Sequence, residues 1–241
     1  MGPIYLVLLP GLDGTGLLFR PLLKALPANI HPIVVSYPTD QILGYEELLP
    51  IVLKALPQSA PFVLLGESFG GPLSLRVAAS KPDGLKALIL CASFVSCPHH
   101  FVPTWAAPLV RAFPFRAFPK FAQLKALLGG YATDELQALS NEALSSVAPE
   151  VFAHRTREVI RVNVSSALAA CDLPVLYIQG KYDFVVQSGN FKRIARINSA
   201  VQFVQIPAPH MVLQTQPELA ADAINQFVAN NAVWLKGTRS N

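Results

Sequence analysis

Six short runs rich in Val, Ile and Leu recur along the chain: Ile4–Leu9, His31–Ser36, Phe62–Leu65, Ala87–Cys91, Val175–Gln179 and Val201–Ile206. A strand with one wet face would alternate apolar and polar residues, so these runs predict strands buried on both faces. Between them, Leu17–Leu26, Tyr45–Leu56, Gly71–Ser80 and Ser188–Ile197 carry helical spacing. A last helix, Leu219–Ala229, follows Thr215-Gln216-Pro217-Glu218, which predicts a capping box with Thr215 as N-cap. Alternating β and α elements predict an α/β fold: about six mostly parallel strands flanked by helices on both sides. A chain of 241 residues suffices for one such domain.

The alternation breaks once. Between Cys91 and Val175 no convincing strand occurs; Ser96–Phe121 is crowded with Pro and aromatics, and Thr133–Ser146 and Pro149–Leu168 have helical patterns. Structureless loops of that length are uncommon in compact domains. Residues 94–168 are therefore expected to form a helical subdomain, inserted into a core made of 1–93 and 169–241.

The run Pro61–Leu65 leads straight into Gly66-Glu67-Ser68-Phe69-Gly70-Gly71, and a helical pattern follows. G-x-S-x-G between a buried strand and a helix predicts a nucleophile elbow, a strained turn that lifts one hydroxyl out of the backbone. A glycine-rich turn that merely contains a serine is the alternative. A serine hydroxyl needs a base at neutral pH, and the base needs an orienting carboxylate. On a parallel sheet such groups emerge past the carboxyl ends of strands. Past Val175–Gln179 comes Gly180-Lys181-Tyr182-Asp183, and past Val201–Ile206 comes Pro207-Ala208-Pro209-His210. Asp172 precedes its strand, His31 begins one, and His154 lies among the inserted helices, so none competes well. The candidate triad is Ser68, Asp183 and His210. Backbone N–H groups of Phe69, after the nucleophile, and Leu12, in the glycine-rich Pro10-Gly11-Leu12-Asp13-Gly14-Thr15-Gly16 loop, are the candidate oxyanion donors. Asp13 reads as an Asx-turn residue rather than an acid.

Pro10-Gly11-Leu12, Gly66-Glu67-Ser68-Phe69-Gly70-Gly71, Gly180-Lys181-Tyr182-Asp183 and Pro209-His210 together resemble the α/β-hydrolase superfamily across nearly the whole chain. The inserted helices resemble the lid of small carboxylesterases, in particular esterases acting on pimeloyl-acyl-carrier-protein methyl ester. Two departures stand out: Pro10-Gly11 replaces the family's common His-Gly, and the first run is expected to correspond to the third family strand, with no N-terminal hairpin expected before it. The resemblance implies a serine ester hydrolase with short to medium acyl chains, needing no metal or other cofactor. Thioesterase, acyltransferase and perhydrolase chemistry use the same triad, and an inactive receptor on the hydrolase fold is the non-enzymatic alternative. An Asp nucleophile, as in dehalogenases and epoxide hydrolases, is disfavoured by Ser68.

Composition narrows the setting. Hydrophobic residues make up 52% and charged residues 14%, and mean hydropathy is +0.40, yet Gly, Pro or a charge interrupts every run before membrane-spanning length. Met1–Leu9 lacks a basic n-region and reads as a first strand, and three scattered cysteines make no disulfide framework, so a cytoplasmic location is expected. His99-His100 lacks a third ligand at metal spacing and reads as a polar loop. Net charge is +4, and Arg111, Arg116, Lys120 and Lys125 lie in a stretch with no acid. Denser clusters would be needed for nucleic acid. An acidic partner such as an acyl carrier protein fits better, with a merely solvated helix face as the bland reading. Phe101, Trp105, Phe113, Phe115, Phe118 and Phe121 accompany these bases, making Trp105, Phe113, Arg111 and Arg116 candidates for contact with substrate or partner.

Overall fold

The computed structural model describes residues 4–58, 60–99, 101–112, 124 and 127–231. Strands β1 (Ile4–Leu9), β2 (Ile30–Val34), β3 (Phe62–Glu67), β4 (Leu85–Cys91), β5 (Val175–Gly180) and β6 (Gln202–Ile206) form one parallel sheet in the order β2-β1-β3-β4-β5-β6. Helices α1 (Arg20–Ala25), α2 (Tyr45–Ala55), α3 (Gly70–Ala79), α4 (Asp134–Ser145), α5 (Pro149–Arg161), α6 (Ser165–Ala169), α7 (Gly189–Ile197), α8 (Val212–Thr215) and α9 (Pro217–Asn230) flank it, with short 3-10 segments at Leu17–Phe19, Thr104–Leu109 and Gly129–Tyr131.

Period-two alternation explains the two cores. Val7, Leu9, Leu64, Leu88, Leu90 and Tyr177 pack on one face with α2, α3 and α7 through Leu48, Val52, Leu73 and Ile194. Leu6, Leu8, Val63, Leu65, Ile89 and Ile178 pack on the other with α1, α8 and α9 through Leu22, Leu213, Ile224 and Phe227. Every residue of β3 is buried. Each large aliphatic there contributes about 1.5–3 kcal/mol by burial, so the strand that ends in the serine turn is anchored from both sides. The outermost strands differ from expectation: β2 and β6 leave most of their residues partly or fully exposed because they are sheet edges. Pro32 is tolerated within β2 for the same reason, since an edge leaves one side of the strand unpaired.

Chain order reverses at β1. From it the chain passes outward to β2, then returns to β3 on the other flank, so the loops after β1 and β3 bound the crevice where such sheets bind ligands.

Two local expectations fail. Pro149–Leu168 is not one helix: it breaks at Val162–Val164. There Asn163 bridges Ser96 and the Val164 amide donates to the Val95 carbonyl (2.8 Å). Val162 and Val164 are drawn into the main core, and this tertiary pairing outweighs helix continuation. Thr215 is not the N-cap of the last helix. It closes α8, its hydroxyl donates to the Met211 carbonyl (2.7 Å), and α9 starts at Pro217 with Gln216 at the cap and no side-chain bond. Proline at the first position has no N–H to satisfy, so the missing cap costs less.

Candidate active site

Ser68 occupies the turn between β3 and α3 with φ of 50°, in the left-handed region that side chains other than glycine avoid at a cost near ~1 kcal/mol. Three bonds hold it there: its amide donates to the Cys91 carbonyl (2.9 Å), while its carbonyl accepts from the Gly71 amide (3.0 Å) and the Ser93 hydroxyl (2.8 Å). The flanking glycines are steric necessities. A Cβ on Gly66 would stand 2.4 Å from the Gly70 carbonyl oxygen, and one on Gly71 would stand 1.8 Å from Ser93 Oγ. Ser93 is itself fixed, its carbonyl accepting from the Tyr177 hydroxyl (2.7 Å).

The loops after β5 and β6 bring the other two groups to this turn. His210 Nε2 lies 3.1 Å from Ser68 Oγ, and His210 Nδ1 lies 2.9 Å from Asp183 Oδ2. The second Asp183 oxygen accepts from the amides of Val185 and Val186, both at 2.8 Å. In the tautomer whose Nδ1–H donates to Asp183, Nε2 is left free to accept from the serine hydroxyl. Asp183 and His210 are buried, and Ser68 is partly open to solvent. Burial pulls the His210 imidazolium down, but the charge and hydrogen bond of Asp183 more than offset it, so His210 titrates above its ordinary range.

Leu12 follows β1 and is partly buried against the core. Its loop is a tight turn in which the Gly14 amide donates to the Gly11 carbonyl (3.1 Å), and Asp13 Oδ2 accepts from the Thr15 amide (2.9 Å), the expected Asx-turn. Phe69 caps α3, its ring buried and stacked on Tyr45 at 4.4 Å. Phe69 adjoins Ser68 in the chain at the N-terminal end of α3, and Gly11, next to Leu12, lies close to the serine: a Cβ on Gly11 would stand 3.7 Å from Ser68 Cβ. Among the lid candidates, Trp105 is 73% exposed on a 3-10 segment, Thr104–Leu109, and Arg111 is exposed just beyond it. Phe113 and Arg116, with Phe115, Phe118, Lys120, Phe121 and Lys125, lie outside the described residues. Two surface clefts, of about 600 and 570 Å³, include none of the three residues Ser68, Asp183 and His210.

Residues 44–208 match the family described as serine aminopeptidase, S33. The chain belongs to that family. Across 93% of its length it is 25% identical to a pimeloyl-[acyl-carrier protein] methyl ester esterase of Xanthomonas oryzae pv. oryzae, covering 95% of that protein. A shorter stretch, 31% of this chain and 11% of the relative, is 40% identical to the chloroplastic phytyl ester synthase 1 of Arabidopsis thaliana. Among solved structures, a thermophilic esterase from Thermogutta terrifontis superposes with a TM-score of 0.79 at 21% identity, over 96% of this chain and 90% of the other. This α/β-hydrolase has no described helix long and apolar enough to cross a membrane.

Sequence reasoning missed three parts of the site. Ser93 left a trace in Gly71, whose missing side chain makes room for it. Glu67, adjacent to the serine, is buried and accepts from Gln214 Nε2 (3.0 Å). Burial pushes its carboxyl up to about 7 despite that hydrogen bond. Arg155 is fully buried on α5, and nothing in the pattern of that helix announces it.

Proposed function

We propose that this α/β-hydrolase cleaves carboxylic esters through an acyl-enzyme on Ser68. The observation that carries the reading is the continuous hydrogen-bonded chain from Asp183 through His210 to Ser68 Oγ. Ser68 Oγ attacks the ester carbonyl carbon while its proton passes to His210 Nε2. Negative charge moves to the carbonyl oxygen, which the amides of Leu12 and Phe69 stabilise; one such donor is worth roughly 2.7–4 kcal/mol in the transition state. Collapse breaks the carbon–alkoxy bond, and the leaving alcohol takes the Nε2 proton. Water then repeats the sequence: it gives a proton to Nε2, attacks the acyl carbon, and expels Ser68 Oγ, which recovers that proton. Asp183 holds the tautomer and stabilises the imidazolium throughout.

Residues 94–168 act in this reading as a lid selecting short to medium acyl chains. Each buried methylene is worth about 0.8 kcal/mol, so a slot of fixed depth distinguishes two carbons by roughly an order of magnitude. Similarity to a pimeloyl-[acyl-carrier protein] methyl ester esterase and the acid-free run of Arg111 and Arg116 support a carrier-bound ester as substrate, with an acidic carrier protein as partner. Three unpaired cysteines suit the reducing cytoplasm.

A labelled fluorophosphonate tests the chemistry. Stoichiometric adduct on Ser68, mapped by peptide mass spectrometry, is expected; folded protein that stays unlabelled would make the fold a receptor. A p-nitrophenyl ester series from acetyl to palmitoyl, run beside the carrier-bound methyl ester, then locates the substrate class. Transfer of the acyl group to an added alcohol is the second reading, supported by the local 40% identity to a phytyl ester synthase. It requires that ester product exceed free acid when alcohol is supplied at millimolar level.

A further inference from the structure

Arg155 is a charged side chain with no solvent exposure. Burying a guanidinium is expensive unless its donors are satisfied. Here the two terminal nitrogens meet backbone, while Nε is buried without a partner among the described residues. Nη1 donates to the carbonyls of Leu12 (2.7 Å) and Asp13 (2.9 Å), and Nη2 donates to the carbonyl of Pro38 (2.8 Å). The guanidinium also lies 5.5 Å from the centre of the Tyr37 ring. Those carbonyls belong to the loops after β1 and β2, which the Tyr37 amide joins directly by donating to the Gly14 carbonyl (2.7 Å). Arg155 comes from α5, over a hundred residues away in sequence.

Gly14 makes the arrangement possible. Its φ is +71°, and a Cβ there would stand 2.5 Å from Arg155 Nη1 and 2.9 Å from the Tyr37 ring. A side chain at this position would occupy the space the guanidinium fills.

We propose that Arg155 is a positioning residue for oxyanion stabilisation, setting the direction of the Leu12 N–H from the inserted helices. The peptide planes on both sides of Leu12 are fixed: the Gly11 carbonyl by the Gly14 amide (3.1 Å), the Leu12 carbonyl by Arg155 (2.7 Å). Together they restrict both backbone torsions of Leu12, and a donor is useful only when aimed at the place where charge develops. Without Arg155, the carbonyls of Leu12, Asp13 and Pro38 lose these donors, and the loop rearranges to find others. Through these bonds α5 is tied to the loops after β1 and β2. The proposal rests on the reading that Leu12 is an oxyanion donor.

The test is kinetic, on Arg155→Met and Arg155→Lys, with active sites titrated by fluorophosphonate and folding checked by near-ultraviolet circular dichroism. Misaiming one donor costs about 100-fold in turnover. Arg155→Met should therefore lose roughly that factor in kcat on p-nitrophenyl butyrate, with KM nearly unchanged. Its Ki for n-butylboronic acid, whose adduct carries the tetrahedral oxyanion, should rise in proportion. Arg155→Lys, which restores a donor to part of the cluster, should recover about tenfold. A merely structural arginine would lower the melting temperature and leave kcat per labelled site and boronate affinity alone. That result, in Arg155→Met or, should it fail to fold, in Arg155→Lys, overturns the proposal while leaving the hydrolase reading intact. A wild-type protein that neither labels nor turns over removes both.

Discussion

Replacing Glu67 by Gln should stabilise the protein at neutral and alkaline pH and leave it unchanged in acid. Glu67 is buried beside the nucleophile, and desolvation raises its carboxyl from an ordinary 4.5 to about 7. In the unfolded chain the group ionises near its ordinary value, so between these limits the folded state holds the proton that the unfolded state releases. Stability is then fully present below about 4.5 and is lost as pH rises toward 7. A gap of that size corresponds to about 3 kcal/mol, at ~1.4 kcal/mol per unit. Gln214 explains how the neutral form is accommodated. Its Nε2 already donates to Glu67 Oε1 (3.0 Å), while its Oε1 is buried without a donor, and a protonated carboxyl supplies one. The amide of Gln at position 67 supplies a donor at every pH. Urea unfolding of wild type and Glu67→Gln at intervals from pH 4 to 8 should show free-energy differences growing by about 3 kcal/mol toward the alkaline end. A difference that stays constant across the range would refute the argument, because it would mean Glu67 is already ionised in the folded state.

Other outcomes follow from the same geometry. Ser68→Ala and His210→Ala should each lower kcat by roughly 10⁶-fold and Asp183→Ala by about 10⁴-fold, since triad members act as a unit; folded Ser68→Ala retaining a tenth of the activity would disprove the nucleophile. Because Asp183 raises the His210 pKa above its ordinary value and the base works only when neutral, the acid limb of kcat/KM should fall above about 6.5. Asp183→Asn should move that limb to lower pH; a limb that stays put would mean another group is titrating. Gly71→Ala should destabilise by about 1–3 kcal/mol through overpacking against Ser93, and Ser93→Gly in the same chain should relieve most of it, as read by thermal unfolding. Arg111→Glu should raise KM for a carrier-bound ester and spare p-nitrophenyl butyrate; equal effects on both would leave a carrier-independent esterase.

What could be read from the residues alone is what depends on local physics. Apolar runs such as Ile4–Leu9 and Phe62–Leu65 have to be strands shielded on both faces, and the sheet they form was legible from their alternation with helical segments. The serine turn was legible because its steric demand falls on near neighbours, Gly66, Gly70 and Gly71. Asp183 and His210 could be placed by rule, since each follows directly on a strand end. The edge positions of β2 and β6, the break of the helix at Val162–Val164 and the failure of Thr215 to cap α9 depended on which partners the chain found at a distance. So did the pairing of Glu67 with Gln214, the grip of Ser93 on the Ser68 carbonyl, and the reach of Arg155 to Leu12, Asp13 and Pro38. A buried polar or charged group is stable only where folding delivers its partner. In one dimension Arg155 looks like any arginine on an amphipathic helix, and only the packing of α5 against the loops after β1 and β2 gives it the carbonyls of Leu12, Asp13 and Pro38 as partners.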